Sequence, residues 1–122
     1  MLLTLSVALR ITLEEESRYS SEEIEKIIKV FSRYHAKDWI YPGAIKRQLK
    51  FKIEDVYHIL NALEKTGVIE GWYELCCGHC QRVLGTVKRF NELPPEFTCE
   101  LCDTTLNTME NTIKIYKVLQ DG

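Results

Sequence analysis

Two C-x-x-C pairs constrain this chain more than any other feature: Cys77-Gly78-His79-Cys80 and Cys99-Glu100-Leu101-Cys102, separated by eighteen residues. A tetrahedral zinc ion takes four thiolates at about 2.3 Å, and a two-residue spacer lets one tight turn offer two sulfurs from the same side. Two such turns complete the shell, and the interval between them fits paired metal-binding knuckles. The spacing therefore predicts one structural Zn²⁺ held by Cys77, Cys80, Cys99 and Cys102. Four thiolates close the coordination sphere and leave no position for a reacting water, so the metal is expected to be a fold element. Cys76 adjoins the first pair, and the sequence leaves open whether it replaces Cys77 as ligand. His79 lies inside the knuckle, is expected to be exposed, and is a weak fifth candidate.

The remaining composition bounds the setting. Five cysteines is an odd number, four fit a metal site, and no charged leader precedes the apolar stretch Met1–Leu13. A disulfide framework is not expected, and the reading is a protein of a reducing compartment, cytoplasmic or, in a eukaryote, nuclear. No run approaches the eighteen or so apolar residues of a membrane span, so no membrane partner is expected. A formal net charge of -2 gives no global field toward nucleic acid, and any such contact must come from a local patch.

Along the chain, Leu3, Leu5, Val7, Leu9, Ile11 and Leu13 alternate with Thr4, Ser6, Ala8, Arg10 and Thr12, which predicts a long N-terminal β-strand within residues 1–19. Thr112 to Leu119 also alternates and predicts a C-terminal strand within 107–122. The two ends are expected to pair with each other, or to offer a strand-addition interface to another chain. Tyr19-Ser20-Ser21-Glu22-Glu23-Ile24 carries a capping box, Ser20 with Glu23, and opens an amphipathic helix reaching about Tyr34. Pro42 fits the first position of a short helix ending near Lys50. A third helix runs from Ile53 to about Thr66, with Val56, Tyr57, Ile59, Leu60 and Leu63 as its apolar stripe and Gly67 as its stop. Val68 to Leu75 then reads as strand and runs into the cysteines with no linker, and Arg82 to Phe90 reads as the next strand.

Helix, short helix, longer helix and β-ribbon is the order of a winged helix-turn-helix. The run Ile59-Leu60-Asn61-Ala62-Leu63-Glu64-Lys65-Thr66-Gly67-Val68-Ile69-Glu70 resembles the end of the third helix and the first wing strand in that superfamily. Residues 76–106 resemble a zinc ribbon. The expected fold is α+β: a three-helix winged helix-turn-helix over 20–75 with an appended four-cysteine zinc ribbon and terminal β-strands. Winged helix followed by zinc ribbon resembles the transcription initiation factor TFE/TFIIE-alpha, although the long N-terminal strand and the absence of an acidic tail depart from it. The same architecture looks like small accessory subunits of multi-component bacterial systems, including defence complexes built around SMC-like ATPases.

Two functional readings follow. As an adaptor, the chain is a non-catalytic accessory subunit docking on a larger protein partner, with Trp39, Tyr41, Trp72 and Tyr73 as candidate anchors. As a DNA-binding regulator, it neutralises duplex phosphates with Lys46, Arg47, Lys50 and Lys52, joined by Lys88 and Arg89 on the ribbon. Glu54 and Asp55 at the leading turn of the third helix oppose groove insertion, so backbone contact is favoured over base readout. Nothing resembles a nucleophile–base arrangement, a phosphate loop or a paired-carboxylate site; no small-molecule substrate is evident and no enzyme activity is expected. Cys77-Gly78-His79-Cys80 also resembles the motif of protein disulfide isomerases, but that chemistry needs a helix N-terminus after a strand, and here a strand follows.

Overall fold

The computed structural model describes residues 4–120. Among them it has four helices and six strands: α1 (Leu5–Glu16), α2 (Ser21–Phe31), β1 (Trp39–Ile40), α3 (Pro42–Leu49), α4 (Ile53–Glu64), β2 (Ile69–Cys76), β3 (Val83–Val87), β4 (Glu96–Thr98), β5 (Thr105–Asn107) and β6 (Thr112–Val118). None of the described helices is long and apolar enough to cross a membrane. The chain divides into two compact units. One runs to Glu70 and resumes at Tyr116, and the other is Gly71–Ile115.

The first unit is built on helices, and its N-terminal element corrects the expected strand. Leu5, Leu9 and Leu13 sit at i, i+4 and i+8, a spacing that a period of 2 and a period of 3.6 both satisfy. The residues between them decide the matter: Ala8 is 1% exposed, whereas Val7 and Ile11 are 42% and 45% exposed. Thr4 caps the helix by accepting from the Val7 amide, Ser17 ends it in the left-handed region, and Glu14 to Glu16 extend it with residues that strands disfavour. Each of the three fully buried leucines contributes roughly 1.5–3 kcal/mol. Leu3, the first residue of the expected strand, lies outside the described residues.

The next helices form as their local signals dictate. Ser20 accepts from the Glu23 amide while Glu23 accepts from the Ser20 amide, and α2 buries Ile24, Ile27, Val30 and Phe31. Pro42 opens α3, which buries Ile45 and Leu49. The Lys26 ammonium donates to the Leu49 carbonyl at 3.3 Å, satisfying one of the free acceptors at that helix end. Val56, Ile59, Leu60 and Leu63 of α4 complete the core with Val68, Ile69, Tyr116 and Val118, and Gly67 at φ 87° makes the turn into β2.

β6 pairs antiparallel with β1, Trp39 opposite Lys117 and Ile40 opposite Tyr116, so the C-terminal strand does not meet an N-terminal strand as expected. The strand order is β1-β6-β2-β3, with β4 and β5 as a separate pair. The chain leaves the first unit through β2 and returns through β6, which makes the second unit an insertion, where the sequence suggested an appended ribbon.

Within the second unit two antiparallel hairpins repeat one plan. β2 pairs with β3, Leu75 opposite Gly85, with the register slipping between Leu75 and Cys76; β4 pairs with β5, Thr98 opposite Thr105. The strand expected over Arg82 to Phe90 is shorter, because the chain bends into a 3-10 turn at Phe90–Glu92.

Candidate metal centre

Each hairpin tip is a knuckle, and the two tips have the same hydrogen bonding. The Gln81 amide donates to the Cys77 carbonyl at 2.8 Å and the Asp103 amide to the Cys99 carbonyl at 2.7 Å. The Cys77 amide donates to the Arg82 carbonyl at 2.8 Å, and the Cys99 amide to the Thr104 carbonyl at 2.9 Å. Gln81 (φ 64°) and Asp103 (φ 59°) both take the left-handed conformation that closes such a turn. The sequence of each knuckle thus sets two sulfurs on one side of a tight loop.

The four sulfurs of Cys77, Cys80, Cys99 and Cys102 lie within 4.8 Å of one another. Cys77 Sγ is 3.6 Å from Cys102 Sγ, and Cys80 Sγ is 3.7 Å from Cys99 Sγ. A disulfide would need about 2.05 Å, whereas a tetrahedron with metal–sulfur bonds of about 2.3 Å has edges of about 3.8 Å. The donor set and its spacing fit a metal ion such as zinc. Cys77 and Cys99 are buried, the other two half-buried, and the Cys80 amide donates to Cys77 Sγ at 3.3 Å, a contact that favours a thiolate. The Thr104 hydroxyl, 3.3 Å from Cys102 Sγ, pulls the Cys102 thiol down to about 6, while burial and the neighbouring sulfurs push Cys80 up to about 12. Four thiols so close therefore resist ionising together until a cation joins them.

Cys76 is not in the cluster, so the choice left open by the sequence falls to Cys77. Its sulfur faces Glu74 Oε1 at 3.5 Å, and burial together with that carboxylate raises its thiol to about 11. His79 is exposed at the tip. No helix starts at either C-x-x-C pair, and the arrangement expected of a redox dithiol is missing from the described residues.

The other sequence-predicted residues divide between the units. Lys46, Arg47 and Lys50 lie on α3 and its C-cap, and Lys52 occupies the position before α4; all four are exposed, with no ion pair among the described residues. Lys88 and Arg89 follow β3 in the second unit. Trp39 is half-buried, with Lys117 Nζ 5.8 Å from its ring centre, and Tyr41 is exposed. Trp72 is half-buried on β2, and Tyr73 meets the Phe90 ring edge-on at 5.5 Å.

Sequence reasoning missed what surrounds α4. Arg18 pairs with Asp55 at 3.3 Å, and His58 Nε2 is 2.9 Å from Glu16 Oε2. The Tyr116 hydroxyl donates to Asn61 Oδ1 at 2.5 Å. With the N-terminal segment read as a strand, nothing placed Glu16 or Arg18 beside that helix. Two grooves of the second unit, the first of them apolar, were also unforeseen. One, of about 310 Å³, is lined by Phe90, Leu93, Pro94, Pro95 and Met109. The other, of about 500 Å³, is lined by Leu75, Val83, Leu84, Phe97 and Leu101 with Thr98 and Glu100. Comparison with protein-family models, curated proteins and solved structures finds no match to this chain.

Proposed function

We propose that this chain is a non-catalytic recognition module, stabilised by one structural zinc ion, that docks as a small accessory subunit on a larger protein partner in a multi-subunit, DNA-associated or defence complex. The observation that carries the docking reading is the condition of α4. Its exposed face is the one a helix-turn-helix protein would present to DNA. Here Asp55, His58 and Asn61 are engaged by Arg18, Glu16 and Tyr116 of the same chain, and Glu54 and Asp55 supply negative charge at the leading turn. A helix so committed is poorly suited to reading base edges, which supports docking on protein over base readout.

The order of α2, β1, α3, α4, β2 and β6, with β1 paired to the returning strand, supports a winged-helix reading of the first unit. In that reading β2 and β6 are the wing strands, and the four-cysteine unit is an insertion between them. Sulfur spacings of 3.6 and 3.7 Å support zinc, and four thiolates leave it a structural role. Structural zinc binds with roughly 10–16 kcal/mol, as much as the whole stability of a small domain. The second unit is accordingly expected to fold only with metal.

Isolation of the chain from its own host tests the docking reading. A defined partner in stoichiometric complex supports it, and a monodisperse monomer with salt-sensitive duplex affinity reverses it. One observation favours DNA as the second reading, namely the cations Lys46, Arg47, Lys50 and Lys52, which have no ion pair among the described residues. If those four meet phosphates, the logarithm of affinity falls against that of salt with a slope of about -3.6. Reversal of Lys46, Arg47 and Lys50 to Glu then removes most of that slope, and a flat dependence in the unaltered chain excludes this reading.

A further inference from the structure

We propose that β3 is a strand-addition site for an extended apolar segment of a protein partner whose carboxylates flank the apolar run. The proposal rests on the docking reading above and names the chemistry of the partner. β3 is the terminal strand of its sheet and, among the described residues, pairs only with β2, so its outer backbone groups face away from the ladder. Such an edge templates another strand unless it is very short, charged or bulged away; the register of β3 slips once, at Leu84, and residues 85–87 stay in regular pairing with β2. Val83-Leu84-Gly85-Thr86-Val87 carries no charge and no proline, and Val83 is 59% exposed. Nothing lies within 4 Å of the place a Cβ would take on Gly85. The groove of about 500 Å³ beside it offers Leu75, Val83, Leu84, Phe97 and Leu101 to alternate side chains in the apolar middle of an added strand, with Thr98 and Glu100 also in its lining, so the carboxylates of an occupant belong at its ends and outside the groove. The other end strand of the sheet, β1, has two residues and offers no comparable ladder.

Charge selects the occupant. Arg82 precedes the strand and Lys88-Arg89 follow it, so the apolar run ends in cations on both sides. Antiparallel pairing with a second copy centred on β3 sets Arg82 opposite Lys88 or Arg89, and like charges facing each other across a ladder are destabilising. A segment with carboxylates at both ends of an apolar run meets attraction at the same places. The second unit carries six carboxylates against four cations overall. That surplus acts at range and is screened beyond about 8 Å at physiological salt. Cross-strand partners stand about 5 Å apart, and the local pairs decide. β3 itself spans five residues, about 17 Å of extended chain, with Arg82 before it and Lys88-Arg89 after it.

The test uses the zinc-loaded full chain and a fluorescent eight-residue peptide of alternating Val and Thr with Asp at each end. Saturable binding is expected, at least tenfold weaker for a Lys-ended peptide and for one N-methylated at alternate amides, because strand addition needs those N–H donors. The double variant Arg82→Glu/Arg89→Glu, checked for unchanged zinc content and melting, should invert the preference toward the Lys-ended peptide. Absence of binding, equal binding of the Lys-ended or N-methylated peptide, an uninverted preference, or self-association through β3 overturns the proposal. A native partner that stays bound to the double variant overturns the strand edge and leaves docking intact. A chain with no native partner overturns the docking reading itself.

Discussion

At the scale of the residue, the candidate metal centre depends on which sulfurs converge. Cys99→Ser is expected to leave fewer than about 0.5 zinc per chain and to lose the fold of the second unit, since structural zinc supplies folding energy outright. Cys76→Ala should retain one zinc per chain, because its sulfur faces Glu74 outside the cluster. Metal analysis in reducing buffer reads both. Acid should release the ion: zinc binds thiolates, so each proton regained by Cys80 or another ligand competes with it, and affinity rises with pH. A dye that reports free zinc during acid titration measures the midpoint, and retention independent of pH contradicts thiolate ligation. The spacing of the cysteines made this site legible in the sequence, since the chelating turn is local. The engagement of Asp55 by Arg18 was illegible, because it joins residues that only the packing of α1 brings together.

At the scale of the element, α1 separates two patterns that share Leu5, Leu9 and Leu13. Helical phase buries Ala8 and exposes Ile11, and strand phase does the reverse. Ala8→Asp should therefore cost several kcal/mol through an unpaired buried charge, while Ile11→Lys should change stability by less than about 0.5 kcal/mol. Urea unfolding of the two variants reads the difference, and the opposite ranking would restore the strand. The capping box of α2 is a smaller device: Ser20→Ala should cost about 1 kcal/mol by removing the acceptor for the Glu23 amide. α2, α3 and α4 were readable because caps, Pro42 and Gly67 mark their ends locally. α1 was misread because alternation over nine residues does not distinguish the two periods at the positions that matter most.

At the scale of the whole molecule, the apolar core among the described residues contains no cysteine of the candidate metal centre and draws only on residues of the first unit. Removal of zinc by a chelator should abolish the tertiary signals of Trp72 and Tyr73 while most of the helical ellipticity at 222 nm remains. Loss of both together would mean that the units do not hold their structures separately. The expected linear order of helical part, ribbon and terminal strand became an insertion, with β6 returning to pair with β1 across most of the chain's length. What the sequence alone determined is what local chemistry fixes: two C-x-x-C turns, and three helices whose ends are marked by a capping box, Pro42 and Gly67. What the tertiary structure decided is the phase of α1, the commitment of α4, the partner of β6 and the open edge of β3. Each of those depends on which distant residues share a core or a ladder, and such contacts leave no period in the sequence.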